Sequence, residues 1–241
     1  MAALKRGAAA GDVASIRDLG LTLADGIQDG DGRCLVRRNS AYSVRLLRRA
    51  AESGDPTAAG SLGYAYDIGQ GIRRNKALAL KWYRRAVRIG SSTAATNIAT
   101  IYRDEGKFGL AHQWLLRATN MGDADAAVTA GYGYLYGIGA RRDLASARRK
   151  FRHAICASDT SPYGREEALY HLAIAEIDRG NRHRAVSLLE QANKDGDYPE
   201  AESLLAQIRA ATELTPCRCR RHLNKHLRGH ANCPQHPPMM G

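Results

Sequence analysis

Apolar and polar positions along this chain follow a helical beat that restarts many times. In Arg45-Leu46-Leu47-Arg48-Arg49, Lys81-Trp82-Tyr83-Arg84-Arg85 and Arg148-Arg149-Lys150-Phe151-Arg152, cations alternate with apolar residues at a spacing that gives a helix one wet face. Ala79, Tyr83 and Ala86, matched by Ala147, Phe151 and Ala154, fall at i, i+4 and i+7, the stripe of a helix that faces a core. Between these segments lie others built from small residues: Ala59-x-x-Leu62-Gly63-x-x-Tyr66, Ala95-x-x-Ile98-Ala99-x-x-Tyr102 and Ala127-x-x-Ala130-Gly131-x-x-Tyr134, with weaker copies at Leu19-Gly20 and Leu172-Ala173. A glycine inside a helix costs about 1 kcal/mol relative to alanine. Its return at one place predicts a neighbouring helix that approaches closely there. The tyrosine three residues later shares that face and is predicted to fill the gap between paired helices.

The two kinds of segment alternate, so each pair predicts one helical hairpin. A recurrent phrase closes the pairs: Arg49-Ala50-Ala51-Glu52-Ser53-Gly54, Arg85-Ala86-Val87-Arg88-Ile89-Gly90 and Arg117-Ala118-Thr119-Asn120-Met121-Gly122, with looser copies around Ala154 and Ala192. The alanines at 50, 86, 118, 154 and 192 lie 36, 32, 36 and 38 residues apart, the period of stacked helical hairpins. Gly69-Gln70-Gly71-Ile72-Arg73-Arg74-Asn75 and Gly137-Ile138-Gly139-Ala140-Arg141-Arg142-Asp143 are matching turns. Their first glycines supply a left-handed helix end, and Asn75, Asp143 and the equivalent Asn39 are predicted N-caps. The predicted fold is all-α, an α-solenoid of about five to six antiparallel hairpins over residues 1–212, followed by a chemically different tail, 213–241.

These motifs resemble the Sel-one-like repeat, a relative of the tetratricopeptide repeat with a longer, more variable turn. The pattern A-x-x-L-G-x-x-Y-x-x-G-x-G, a polar cap, then A-x-x-W-Y-x-x-A-x-x-x-G is met almost fully by residues 59–90 and well by 127–154. Residues 95–122 lack the long turn, residues 14–54 enlarge it over 25–39, and residues 168–196 keep mainly the second-helix half. The resemblance covers roughly residues 5–210. It implies an adaptor or scaffold in protein complexes, often in bacterial signalling or host interaction, with no catalytic residues. It also implies that first helices line a concave side, where Ser61, Tyr64, Asn97, Thr100, Thr129 and Tyr132 are candidates to meet a protein or peptide partner. For Tyr64 and Tyr132 the competing reading is helix–helix packing.

A net charge of +12 raises nucleic acid as an alternative partner. The cations are spread over the second helices, however, and stacking aromatics are not interleaved with them as a single-strand binder requires. No run of about 18 apolar residues is present, which predicts no membrane span. The first residues carry no apolar stretch of signal-peptide length, so a cytoplasmic protein is expected. The glycine-rich run Asp25-Gly26-Ile27-Gln28-Asp29-Gly30-Asp31-Gly32 lacks calcium-loop spacing and reads as an elongated turn. Residues 158–164 read as a flexible loop. His112, His153, His171 and His183 are scattered over different repeats and read as helix-surface residues. Cys34 is assigned to a turn and Cys156 to the core.

The tail carries three of the five cysteines, four of the eight histidines, five Lys or Arg and no acid over residues 217–241. Cys217-Arg218-Cys219 and Cys233-Pro234-Gln235-His236 are two close pairs of soft ligands, the economy of a small structural zinc site. Cys217, Cys219, Cys233 and His236 are the candidate ligands, with His230 or His222 as substitutes for the fourth. A disordered basic tail is the competing reading. A nucleic-acid-associated role would use this basic, zinc-stabilised tail on phosphates. A metal-dependent enzyme is a third reading, which lacks a nearby glutamate as general base.

Overall fold

A computed structural model describes residues 1–213 as two compact units. In the first, Met1–Gly122, α1 (Ala2–Ala10) precedes three hairpins: α2 (Val13–Asp25) with α3 (Ser40–Glu52), α4 (Pro56–Ile68) with α5 (Lys76–Arg88), and α6 (Ser92–Asp104) with α7 (Phe108–Asn120). In the second, from Asp123 onward, α8 (Ala124–Tyr136) pairs with α9 (Leu144–Cys156) and α10 (Pro162–Asp178) with α11 (Arg182–Ala192), and α12 (Pro199–Glu213) packs on α11. Within the first unit the first helices α2, α4 and α6 touch in series, and in the second α8 touches α10. The tail's predicted zinc ligands Cys217, Cys219, Cys233 and His236 lie outside the described residues.

The helix starts follow from the sequence. Asn39, Asn75 and Asp143 accept from the amides of Tyr42 at 3.1 Å, Leu78 at 3.0 Å and Ala145 at 2.9 Å. Asp12, Asp55, Ser91, Asp123 and Ser161 cap the first helices in the same way. Each such cap contributes about 1 kcal/mol. Gly69 and Gly137 end α4 and α8 in the left-handed conformation, at φ 83° and 76°, where a side chain would be strained.

The recurrent helical glycine has a specific occupant. A Cβ on Gly63 would lie 2.7 Å from the ring of Tyr83, and one on Gly131 would lie 2.6 Å from the ring of Phe151. Gly20 faces Leu47 at 3.1 Å in the first hairpin. Each notch therefore receives a large side chain of the paired second helix, and Tyr83 and Phe151 are fully buried. A second recurrent contact joins successive hairpins. The Arg48 guanidinium on α3 donates to the Tyr66 hydroxyl on α4 at 2.9 Å, and Arg84 on α5 donates to Tyr102 on α6 at 2.9 Å. Other cations lie over aromatic rings of their own helices, Arg85 on Trp82 and Arg117 on Trp114.

Several expectations need correction. Residues 25–39 are more than a turn: β1 (Ile27–Gln28) pairs antiparallel with β2 (Cys34–Val36), and the Asp29 carboxylate accepts from the amides of Asp31 and Arg33 at the bend. Residues 158–164 are tied down, because the buried Thr160 hydroxyl donates to the Ala154 carbonyl and the Asp125 carboxylate accepts from both the amide and hydroxyl of Ser161. The fifth repeat is a whole hairpin, with a 17-residue first helix, α10. Cys156 is exposed at the end of α9 and not in the core. His112 and His171 are buried and not on the surface. His171 is taken in among aromatic rings, and His112 lies on the core side of α7 beside Ala111. No helix among the described residues is long and apolar enough to cross a membrane.

Candidate partner-binding surfaces on the first helices

In the first unit, Ser61 and Tyr64 stand on α4 and Asn97 and Thr100 on α6. Tyr64 is 49% exposed, while Ser61, Asn97 and Thr100 are half-buried. The Thr100 hydroxyl donates to the Thr96 carbonyl of its own helix, which removes it as a free donor. Tyr64 and Asn97 are brought to one point, the hydroxyl of Tyr83. That hydroxyl is buried and makes no hydrogen bond of good geometry among the described residues, with the Asn97 side chain as its near partner. Burial above all raises its pKa, with the neighbouring Asp67 and Tyr64 adding to the effect and the Asn97 side chain opposing it. Asp67 itself is pushed up by burial against the pull of Arg74 and Lys76. The sequence placed Tyr83 in a core stripe and gave no sign that its polar end would reach the first-helix side. Phe151, its counterpart in the second unit, has no hydroxyl there.

In the second unit, Thr129 is exposed on α8 and Tyr132 is half-buried. Tyr132 joins a connected group of rings, with centroids 4.4 Å from Tyr136 and 5.3 Å from His171. His171 is the hub. It stacks on Phe151 at 5.8 Å, meets Tyr170 edge-on at 5.2 Å, and its Nδ1 lies 3.2 Å from the Tyr136 hydroxyl. The chain of rings continues through Tyr170 to Tyr198 at 5.6 Å and from Tyr198 to Tyr163 at 6.2 Å. Tyr132 thus packs against rings of its own helix and of α10.

Sequence reasoning missed the most deeply buried charge. Glu176 on α10 is fully buried. Its carboxylate accepts from Arg148 at 2.8 Å and from the Asn181 amide at 2.7 Å, with the Arg179 and Arg184 guanidinium groups at 3.7 and 3.8 Å. Burial opposes its ionisation, but the Asn181 and Arg148 hydrogen bonds and the charges of Arg148 and Arg184 hold it below the usual glutamate value. The signal was present: in Leu172-Ala173-x-x-Glu176 the acid occupies the place of Tyr66 and Tyr102 in the repeat. Arg148 meets it from the preceding hairpin, as Arg48 and Arg84 meet those tyrosines. Among the described residues no cluster of histidine, cysteine and acidic side chains is placed to hold a metal ion.

The Sel1 repeat model matches residues 17–55, 56–91, 101–123, 124–149 and 166–197. No curated protein sequence matches the chain. Among solved structures, the chain is similar to a Sel1 repeat protein from Oxalobacter formigenes, with a TM-score of 0.63 and 21% identity over 91% of this chain and 86% of that one. It is also similar to c5321, a protective antigen of uropathogenic Escherichia coli with an SLR fold, with a TM-score of 0.56 and 23% identity over 85% of this chain and 50% of that one. The matched segments each fall on one hairpin and include the glycines of all three notches, with Leu47 and Tyr83 among the side chains seated in them. The chain belongs to the Sel1 repeat family.

Proposed function

We propose that this chain is a non-enzymatic adaptor whose first-helix surfaces hold a protein or peptide partner. Proteins with Sel1 and tetratricopeptide-like repeats are typically protein–protein interaction scaffolds. The observation that carries the reading for this chain is the convergence of the exposed Tyr64 and the half-buried Asp67 and Asn97 around the buried Tyr83 hydroxyl, which makes no well-formed hydrogen bond. A buried hydroxyl without a well-formed partner costs roughly 1–3 kcal/mol, and the groups around it that a partner can reach are Tyr64, 49% exposed, and the half-buried Asn97. Ser61, Thr129 and Tyr132 extend the candidate surface within their own units.

Affinity capture from a native lysate tests the reading, with wild type compared against Tyr64→Ala/Asn97→Ala and against Tyr83→Phe. The double variant is expected to lose the specific partner. Tyr83→Phe is expected to melt at or slightly above the wild-type temperature, because it removes a polar atom that the fold leaves without a well-formed bond, and to bind within about twofold of wild type, because that atom is closed off from a partner. Full retention of every specific partner by the double variant would remove the first unit from the binding surface.

We also infer a structural zinc in the tail on Cys217, Cys219, Cys233 and His236. Its support is the spacing and softness of the donors alone. Metal analysis of the reduced, tag-free protein is expected to give one zinc per chain, lowered in Cys219→Ser and in Cys233→Ser. Stoichiometry near zero, or full metal content in both variants, sinks the assignment.

A further inference from the structure

The second unit carries an acidic, tyrosine-rich stripe on a chain whose net charge is +12. Tyr163, Glu167 and Tyr170 fall at i, i+4 and i+7 on α10 and so share one face of that helix. Tyr198, next to the start of α12, closes the row against Tyr163 and Tyr170, and Glu200 stands two residues further on. Tyr163 is 49% exposed, Tyr170 is half-buried and Glu200 is exposed. The charges that act on these hydroxyls are carboxylates: Glu167 on Tyr132, Tyr163 and Tyr198, and Glu200 on Tyr163, Tyr170 and Tyr198. The Glu167 carboxylate is half-buried and lies 3.8 Å from the His171 imidazole.

A half-exposed tyrosine ring with carboxylates nearby is the recognition chemistry of a guanidinium. The planar cation stacks on the ring face, and its N–H groups suit a carboxylate edge, a match that an ammonium makes less well. We propose that this stripe of α10 and the start of α12 docks an arginine side chain of a basic segment in a partner protein, laid against Tyr163 and Tyr170 with Glu167 and Glu200 as counter-charges. The proposal rests on the reading of the chain as a peptide-holding adaptor, and it names the partner's chemistry at a surface distinct from the Tyr64–Asn97 cluster.

Fluorescence anisotropy on the full chain, with a labelled octapeptide of alternating Arg and Gly, provides the test. Wild type is expected to bind it, and to bind the corresponding Glu–Gly octapeptide at least tenfold more weakly. Tyr163→Leu and Glu167→Gln are each expected to weaken the Arg–Gly peptide about fivefold to tenfold. Tyr163→Phe, which keeps the ring face, is expected to stay within about twofold of wild type. Equal affinity of Tyr163→Leu and Tyr163→Phe overturns the stacking geometry, and unchanged affinity of Glu167→Gln overturns the counter-charge. Failure of wild type to bind the Arg–Gly peptide, while Tyr64→Ala/Asn97→Ala still abolishes partner capture, overturns this proposal and leaves the adaptor reading standing.

Discussion

Replacing Glu176 by alanine is expected to destabilise the second unit by about 3 kcal/mol, measured by urea unfolding near neutral pH. The loss arises mainly from what remains behind. Arg148, whose side chain is only 18% exposed, keeps its charge without its partner, and the Asn181 amide loses its acceptor. A Glu176→Leu/Arg148→Met double variant removes both charges together, and it is expected to recover most of the stability, because an apolar pair of similar volume costs little in place of a buried ion pair. A double variant as unstable as Glu176→Ala would show that the charges themselves are needed. The linkage to pH has a definite sign. The folded carboxyl titrates below the unfolded value of about 4.3. Its contribution is therefore complete above that value and disappears as pH falls through the lower folded value. Wild type is expected to lose stability across that acid range more steeply than Glu176→Leu/Arg148→Met.

Gly131→Ala is expected to cost about 2 kcal/mol, even though alanine is the better helix former by about 1 kcal/mol. The added Cβ would lie 2.6 Å from the Phe151 ring, and that ring is fully buried. Gly60→Ala supplies the internal comparison. Gly60 lies inside α4 and a Cβ there meets nothing within 4 Å, so this substitution is expected to stabilise by about 0.5–1 kcal/mol. Gly131→Ala/Phe151→Leu, which trims the opposing ring, is expected to recover part of the loss. Thermal melts of the three variants against wild type check the series. Stabilisation by Gly131→Ala would show that the ring shifts freely and that the notch does not set the packing.

The hairpins were legible because three independent signals agree in the first, second and fourth copies, namely the apolar stripe, the glycine notch and the polar cap, while Ala99 and Ala173 replace the glycine in the third and fifth. Asn39, Asn75 and Asp143 could be placed from sequence because a short side-chain oxygen at that point has one structural use. The β1–β2 pair was not legible, since two or three residues per strand leave no periodicity and Ile27 and Leu35 remain exposed. The first half of the fifth repeat was obscured for the opposite reason. Ala168, Leu169, Leu172, Ala173 and Ala175 are all buried, and a helix covered on more than one side shows little amphipathic contrast. The candidate surfaces were half legible. Tyr64 and Asn97 followed from their place in the repeat, whereas the Tyr83 hydroxyl could not, because a tyrosine in an apolar stripe gives no indication of where its polar end emerges. His171 shows the same limit: one imidazole joins Phe151, Tyr132, Tyr136 and Tyr170 although these residues are dispersed along the chain.

The glycine notches also separate what must keep its length from what is free to vary. Gly63 and Tyr83 have the same spacing as Gly131 and Phe151, while Gly20 and Leu47 stand seven residues further apart, the excess taken up beyond α2 by the β1–β2 pair. A side chain seated in its notch fixes how the two helices are aligned, so the connecting turn carries no such duty. Loop closure grows only slowly more costly with length. The turn between α2 and α3 is therefore a natural graft point, where a foreign segment could be carried without disturbing the register of the hairpin that bears it.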